Sequence, residues 1–149
     1  MRYPHSLPEH GCLGFIAPSF GCAIEPYHSA FLRGLDVLRS RGYRTVTGPN
    51  ALLSEGVGIS NTADACGEEV NDFFSRPDLD AIISCGGGEL MCTILDYVNF
   101  DALREKTPKW FMGFSDNTNL SFLLPTLCDT AAIYGPCAPV FGMEPWHPV

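Results

Sequence analysis

Residues 109–120 read KWFMGFSDNTNL, an apolar string that runs straight into Gly113, Ser115 and Asp116 and then into a segment of helical spacing. An apolar run, a turn of small polar residues and a helix, in that order, form the repeating unit of a parallel sheet. A parallel strand can reach its neighbour only through a crossover, usually a helix. The same unit recurs upstream. Residues 12–17 (CLGFIA) are stopped by Pro18-Ser19-Phe20-Gly21, and residues 79–85 (LDAIISC) meet Gly86-Gly87-Gly88.

Helical patterns separate these runs. Across residues 27–41, Phe31, Leu35 and Leu38 recur on one face, Arg33, Arg39 and Arg41 lie elsewhere on the wheel, and Gly42 stands where a C-terminal cap belongs. Residues 43–47 (YRTVT) read as a second strand and residues 48–61 as a loop rich in Gly, Ser and Asn. A helix over residues 62–75 then places Cys66, Val70, Phe73 and Phe74 on its apolar side before Pro77 ends it. Short helical pieces are expected near residues 90–95 and 100–106, and a strand over 110–112. Next come a helix over 117–124 broken by Pro125, and a last strand over 131–134. This alternation predicts an α/β fold of three layers, a mostly parallel sheet with helices on both faces, Rossmann-like or flavodoxin-like. Residues 1–140 are expected to form the domain. Residues 141–149, in a tail that carries four prolines, are expected to begin a linker.

With 149 residues, 46% of them hydrophobic, the chain can bury one core. A formal net charge of -8, with no run among its nine basic residues, excludes a nucleic-acid footprint and favours a small-molecule or peptide partner. No window of eighteen uninterrupted apolar residues occurs, and the start MRYPHSLPEHG is broken by prolines and charges, so a cytoplasmic protein that does not enter a membrane is expected. Seven cysteines with no Cys-x-x-Cys spacing read as reduced, small buried apolar residues. No metal or cofactor is expected.

In an open parallel sheet the ligand lies beyond the carboxyl ends of the strands, which is where Gly86-Gly87-Gly88 and Gly113-Phe114-Ser115 fall. Two readings of Ser115 stand side by side. It is a nucleophile raised on a strand-to-helix turn, with Asn117 departing from the Gly of the usual Gly-x-Ser-x-Gly pattern, or Ser115 or Asp116 merely caps the next helix. The glycines serve either a tight bend or an oxyanion hole whose N–H donors are Gly87, Gly88 and Asp116. They do not make a dinucleotide fingerprint, because Met91 stands where its third Gly belongs. A serine nucleophile needs a base, yet His5, His10, His28 and His147 all lie away from the strand-end loops. A ligand-binding module and a purely structural domain therefore remain as competing classes.

Taken in order, the motifs IAPS (16–19), RGY (41–43), AII (81–83), LDYVNFD (95–101), Pro108-Lys109, GFSD (113–116) and YGP (134–136) span nearly the whole chain. In this set the chain resembles the N-terminal domain of the serine peptidase family that contains the LD-carboxypeptidases and the microcin C immunity peptidases. The resemblance implies Ser115 as nucleophile, with the N–H of Asp116 and of Gly87 or Gly88 as oxyanion donors. It further implies a Glu and a His supplied by a separate C-terminal domain, without which this chain is expected to be nearly inactive. The implied substrate is a peptide or muropeptide, cleaved near its carboxyl terminus, and the complete protein is expected to be a homodimer. Residues 85–89 (CGGGE) lack the arginine and tyrosine that many LD-carboxypeptidases carry around the glycine pair, which leans toward the immunity-peptidase branch.

Overall fold

A computed structural model describes residues 1–144. Five strands, β1 (Cys12–Ile16), β2 (Arg44–Thr47), β3 (Ala81–Ser84), β4 (Trp110–Gly113) and β5 (Ile133–Tyr134), form one sheet in the order β2-β1-β3-β4-β5. Every pairing is parallel, from Cys12 opposite Arg44 to Gly113 opposite Tyr134. Of the two expected architectures this is the flavodoxin-like one, whose strand order reverses between β1 and β3 and opens a crevice at their carboxyl ends.

Side-chain alternation along β1 divides the core. Leu13 and Phe15 face α1 (Tyr27–Ser40), where Phe31, Leu35 and Leu38 are buried, and Phe15 meets Phe31 edge to face at 5.7 Å. Cys12 and Ile16 face the opposite layer, with Val70 and Phe73 of α2 (Ala63–Ser75) and Leu120 and Leu124 of α4 (Thr118–Cys128). Between them Gly14 must be small, because a Cβ there would lie 2.8 Å from Leu79 and 2.9 Å from Phe73. The C-terminus of α1 closes as the sequence predicts. Gly42, at φ 90°, donates to Arg39 O at 2.9 Å, and Tyr43 N donates to Leu38 O at 3.1 Å, the paired bonds of a Schellman motif.

Three local expectations are corrected. First, α4 does not stop at Pro125 but runs through it to Cys128. Burying Leu124 and Cys128 is worth ~3–4 kcal/mol, enough to offset the ~3 kcal/mol of an interior proline. Second, strand β5 is only two residues long, because Ala131 N instead donates to Arg2 O at 2.9 Å. The Arg2 guanidinium holds that pairing in place through Cys128 O and Thr130 Oγ1, each at 2.9 Å. Third, the segment after the triple glycine is a 3-10 turn, Met91–Tyr97, whose outward side leaves Cys92 exposed while the other six thiols are buried. Between that turn and β4 lies a short helix, α3 (Phe100–Glu105), whose Asn99 cap accepts from Ala102 N at 2.9 Å.

A further 3-10 turn, Ala138–Gly142, straddles residue 140, where the domain was expected to end. It packs on α1 so tightly that a Cβ at Gly142 would meet the Ala30 carbonyl, and Arg33 Nε reaches Gly142 O at 3.1 Å. His147 and the rest of residues 145–149, with the last two of the tail's four prolines, lie outside the described residues. Among the described residues no helix is long and apolar enough to cross a membrane.

Candidate active site

The crevice is built by the segments that leave β1, β3 and β4. At the end of β4 the chain passes from extended Phe114 (φ -134°, ψ 178°) into Ser115, which adopts a left-handed φ of 61°, and then into the 3-10 turn Ser115–Asn117 that opens α4. For a residue with a Cβ this conformation costs ~1–2 kcal/mol. Gly113 beneath it is required by the sharpness of the turn, since a Cβ there would lie 2.9 Å from the Asn117 side chain and 3.1 Å from Ser84. Strand, strained serine and helix thus have the geometry of a nucleophile elbow.

Asn117, which replaces the usual last glycine, is wholly buried and bridges two turns. Its Nδ2 donates to Gly86 O at 2.9 Å and Phe114 O at 3.1 Å, while its Oδ1 has no hydrogen-bond partner in the protein. The sequence marked this position only as a departure from pattern. The structure makes it the tie between the Ser115 turn and the glycine loop.

The two candidate glycines differ. A Cβ at Gly87 would lie 3.1 Å from Ser115 Cβ and 3.4 Å from its Oγ, so Gly87 faces the serine directly. Gly88 instead faces Ser19 Oγ and the Phe20 ring. The Asp116 N–H belongs to the first turn of a helix, where amides lack partners within the helix. Neither Ser115 nor Asp116 caps that helix through its side chain. The Asp116 carboxylate is turned instead toward Ser19 and Met91, accepting from Ser19 Oγ at 2.6 Å and Met91 N at 2.9 Å.

Beside Ser115 lies a cavity of about 480 Å³ whose wall is largely apolar, with Phe20, Ile24, Tyr27, Val140 and Met143, and with Glu89 also on its lining. Cys22, Cys85 and Cys137 line it as well. Burial pushes the Cys85 thiol well up and the Cys137 thiol up, so these two are held as neutral thiols and are poor nucleophiles. Ser115 is the exposed hydroxyl at the turn.

None of the described histidines is brought to Ser115. His10 Nδ1 pairs with Gly42 O at 3.2 Å and His5 O accepts from Trp110 Nε1 at 3.0 Å, both at the amino ends of strands. His28 Nδ1 lies 3.1 Å from Cys22 O at the start of α1. Behind the crevice sits a carboxyl that sequence reasoning passed over, Glu69 of α2. It is buried, and accepts from Ala17 N at 2.8 Å and Asn50 N at 2.9 Å. Desolvation raises its pKa to about 7.

These features define a doubly wound α/β domain with a strained serine at a strand-to-helix turn and a glycine loop against it. The chain belongs to the LD-carboxypeptidase family, whose N-terminal domain matches it over residues 13–135. It is 28% identical over 134 residues to the microcin C7 self-immunity protein MccF of Escherichia coli, a match that covers 89% of this chain and 38% of that protein. A structure of MccF in complex with glutamyl sulfamoyl guanosine superposes with a TM-score of 0.86 at 26% identity, covering 95% of this chain and 42% of the other. The fold is shared as well with a muramoyltetrapeptide carboxypeptidase from Oxalobacter formigenes, with a TM-score of 0.74 at 21% identity over 92% of this chain and 44% of that one. The chain spans 34% to 40% of the length of the curated relatives it matches.

Proposed function

We propose that this chain carries the nucleophile and the oxyanion donors of a serine peptidase that hydrolyses an amide bond near a peptide carboxyl terminus. The observation that carries the reading is the left-handed Ser115 with the Gly87 backbone against it. Ser115 Oγ attacks the carbonyl carbon, and the carbonyl π pair moves onto oxygen, where the N–H groups of Asp116 and Gly87 hold it. Gly87 is preferred to Gly88 because Gly88 faces Ser19. The hydroxyl proton passes to a base and then to the leaving amine as the C–N bond breaks; water then releases the acyl group. The family resemblance implies that this base is a His of a separate C-terminal domain; within this chain His5 and His10 sit at the other end of the sheet and His28 Nδ1 is turned to Cys22 O.

The first substrate reading is an L,D-tetrapeptide of the cell wall that loses its terminal D-amino acid. A second reading, an aminoacyl-nucleotide amide of the microcin type, has its own support. The MccF structure that superposes on this chain holds glutamyl sulfamoyl guanosine, and CGGGE lacks the arginine and tyrosine of many LD-carboxypeptidases.

The test is hydrolysis of both compounds by the complete protein and by its Ser115→Ala variant. The variant is expected to lose ~10⁴-fold or more in kcat. Equal rates would remove Ser115 from the mechanism, and turnover of the nucleotide compound alone would select the second reading.

A further inference from the structure

Ser115 sits in a conformation its own backbone disfavours, and no glycine relieves it, so neighbouring groups must hold it there. The Asp116 side chain is placed to do so. Its Oδ2 receives the Ser19 hydroxyl at 2.6 Å and the Met91 N–H at 2.9 Å, and its Oδ1 receives Asn119 Nδ2 at 3.2 Å. Ser19 leaves β1, Met91 follows the glycine loop of β3, and Asp116 follows β4. One carboxylate therefore ties together the three strand-end segments that make the crevice.

Ser19 is wholly buried and fixed in turn, its carbonyl accepting from Ser60 N at 2.8 Å. Its Oγ fills the space where a side chain at residue 88 would stand, so Ser19 also sets the position of the glycine loop. We propose that Ser19 and the Asp116 carboxylate are positioning residues: their hydrogen bond locks the Ser115 turn against the glycine loop and fixes the spacing of the Gly87 and Asp116 N–H groups. The catalytic consequence rests on the reading of Ser115 as nucleophile; the clasp itself does not.

The chemistry of the clasp makes Asp116→Asn a sharp probe. An amide keeps the shape of the carboxylate but turns one acceptor into a donor. In one orientation its NH₂ faces the Ser19 hydroxyl and the Met91 N–H, in the other it faces the Asn119 NH₂. Ser19→Ala deletes the other half with little change of volume. It is the second arm should Asp116→Asn fail to fold.

In the complete protein, both variants are expected to speed amide hydrogen exchange across residues 114–119 about tenfold, with α1 unchanged. Reaction of Ser115 with a fluorophosphonate is expected to slow about tenfold to a hundredfold, and kcat to fall likewise while KM stays within about twofold. The double variant is expected to be slower than wild type by less than the product of the two single effects, because both substitutions disturb the same Ser19–Asp116 bond. Wild-type exchange across residues 114–119 in both variants overturns the clasp. Faster exchange in a protein whose wild-type Ser115 never reacts with the fluorophosphonate upholds the clasp and refutes the nucleophile.

Discussion

Glu69→Gln probes what a buried carboxyl costs at the working end of this sheet. Glu69 is 3% exposed, and desolvation raises its pKa from 4.5 to about 7 against the opposing effect of the Ala17 and Asn50 N–H groups it accepts. Folded protein therefore keeps this proton up to about pH 7, whereas the unfolded chain releases it near 4.5. Between those values the folded state binds more protons, so stability falls as pH rises through the window and levels off above it. At 1.36 kcal/mol per pH unit, the shift is worth about 3 kcal/mol in all. Glutamine cannot titrate, but it loses one of the two N–H acceptors at any pH, at about 1–3 kcal/mol. Wild type is thus expected to be the more stable at pH 5, and its advantage over Glu69→Gln to shrink by about 2.5 kcal/mol between pH 5 and pH 8, the rest of the shift falling below pH 5. Urea unfolding of both proteins at the two pH values measures this difference, with other titrating groups cancelling in the comparison. Parallel stability curves would show that Glu69 carries no such shift.

Three substitutions in the crevice have separable outcomes. Gly87→Ala sets a methyl 3.1 Å from Ser115 Cβ and 3.4 Å from Oγ, tight but tolerable. Fluorophosphonate labelling should fall ~100-fold, and the unfolding free energy should change by less than about 1 kcal/mol. Ser115→Gly releases the left-handed strain at φ 61° and should stabilise the fold by ~0.5–1 kcal/mol relative to Ser115→Ala, a contrast read from denaturant midpoints. Asn117→Ala removes the bonds to Gly86 O and Phe114 O and should destabilise by about 2 kcal/mol; an unchanged midpoint would deny Asn117 its bridging role.

The fold was legible where burial is periodic. Phe31, Leu35 and Leu38 repeat at helical spacing, β1 and β3 are continuous apolar runs because both of their faces are covered, and Gly42 supplies the positive φ of its cap. What stayed hidden depends on partners far along the chain. Arg2 pairs with the segment after α4 across a separation of 128 residues, and that pairing, invisible to local pattern, shortened the last strand. Pro125 signalled a stop, but the helix is decided by the burial of Leu124 and Cys128. In the site, GFSD and the triple glycine could be seen as motifs, and Gly87 lies against Ser115. The Ser19–Asp116 bond spans 97 residues, so the side-chain half of Asp116 read only as a cap or a neighbour. Asn117 and Glu69 carried no signal beyond a broken pattern and a charged residue on an otherwise apolar helix face.

The distribution of buried polar groups explains why this end of the sheet, and not the other, is suited to a site. Of the eight buried polar or charged residues described, Ser19, Asn50, Ser60, Glu69, Ser84 and Asn117 lie at the carboxyl ends of strands or in the segments packed there, leaving only Lys109 and Thr130 elsewhere. Loops that leave a parallel sheet carry N–H and C=O groups no ladder can satisfy, and here side chains satisfy them. Glu69 takes Ala17 N and Asn50 N, Ser60 donates to Ala17 O at 2.6 Å, Ser84 to Gly86 O at 3.0 Å, and Asn117 to Gly86 O. Apolar packing can slide by fractions of an ångström at small cost, whereas a buried hydrogen bond, once broken, leaves a group unpaired at about 1–3 kcal/mol. A network of such bonds therefore fixes loop positions more sharply than packing does. An oxyanion hole requires that sharpness, because its donors must stand where charge develops before it arrives. Under the function proposed above, bonds internal to this domain would hold Ser115, Gly87 and Asp116 in place, so that a base delivered by another domain would need only to find a nucleophile already in position.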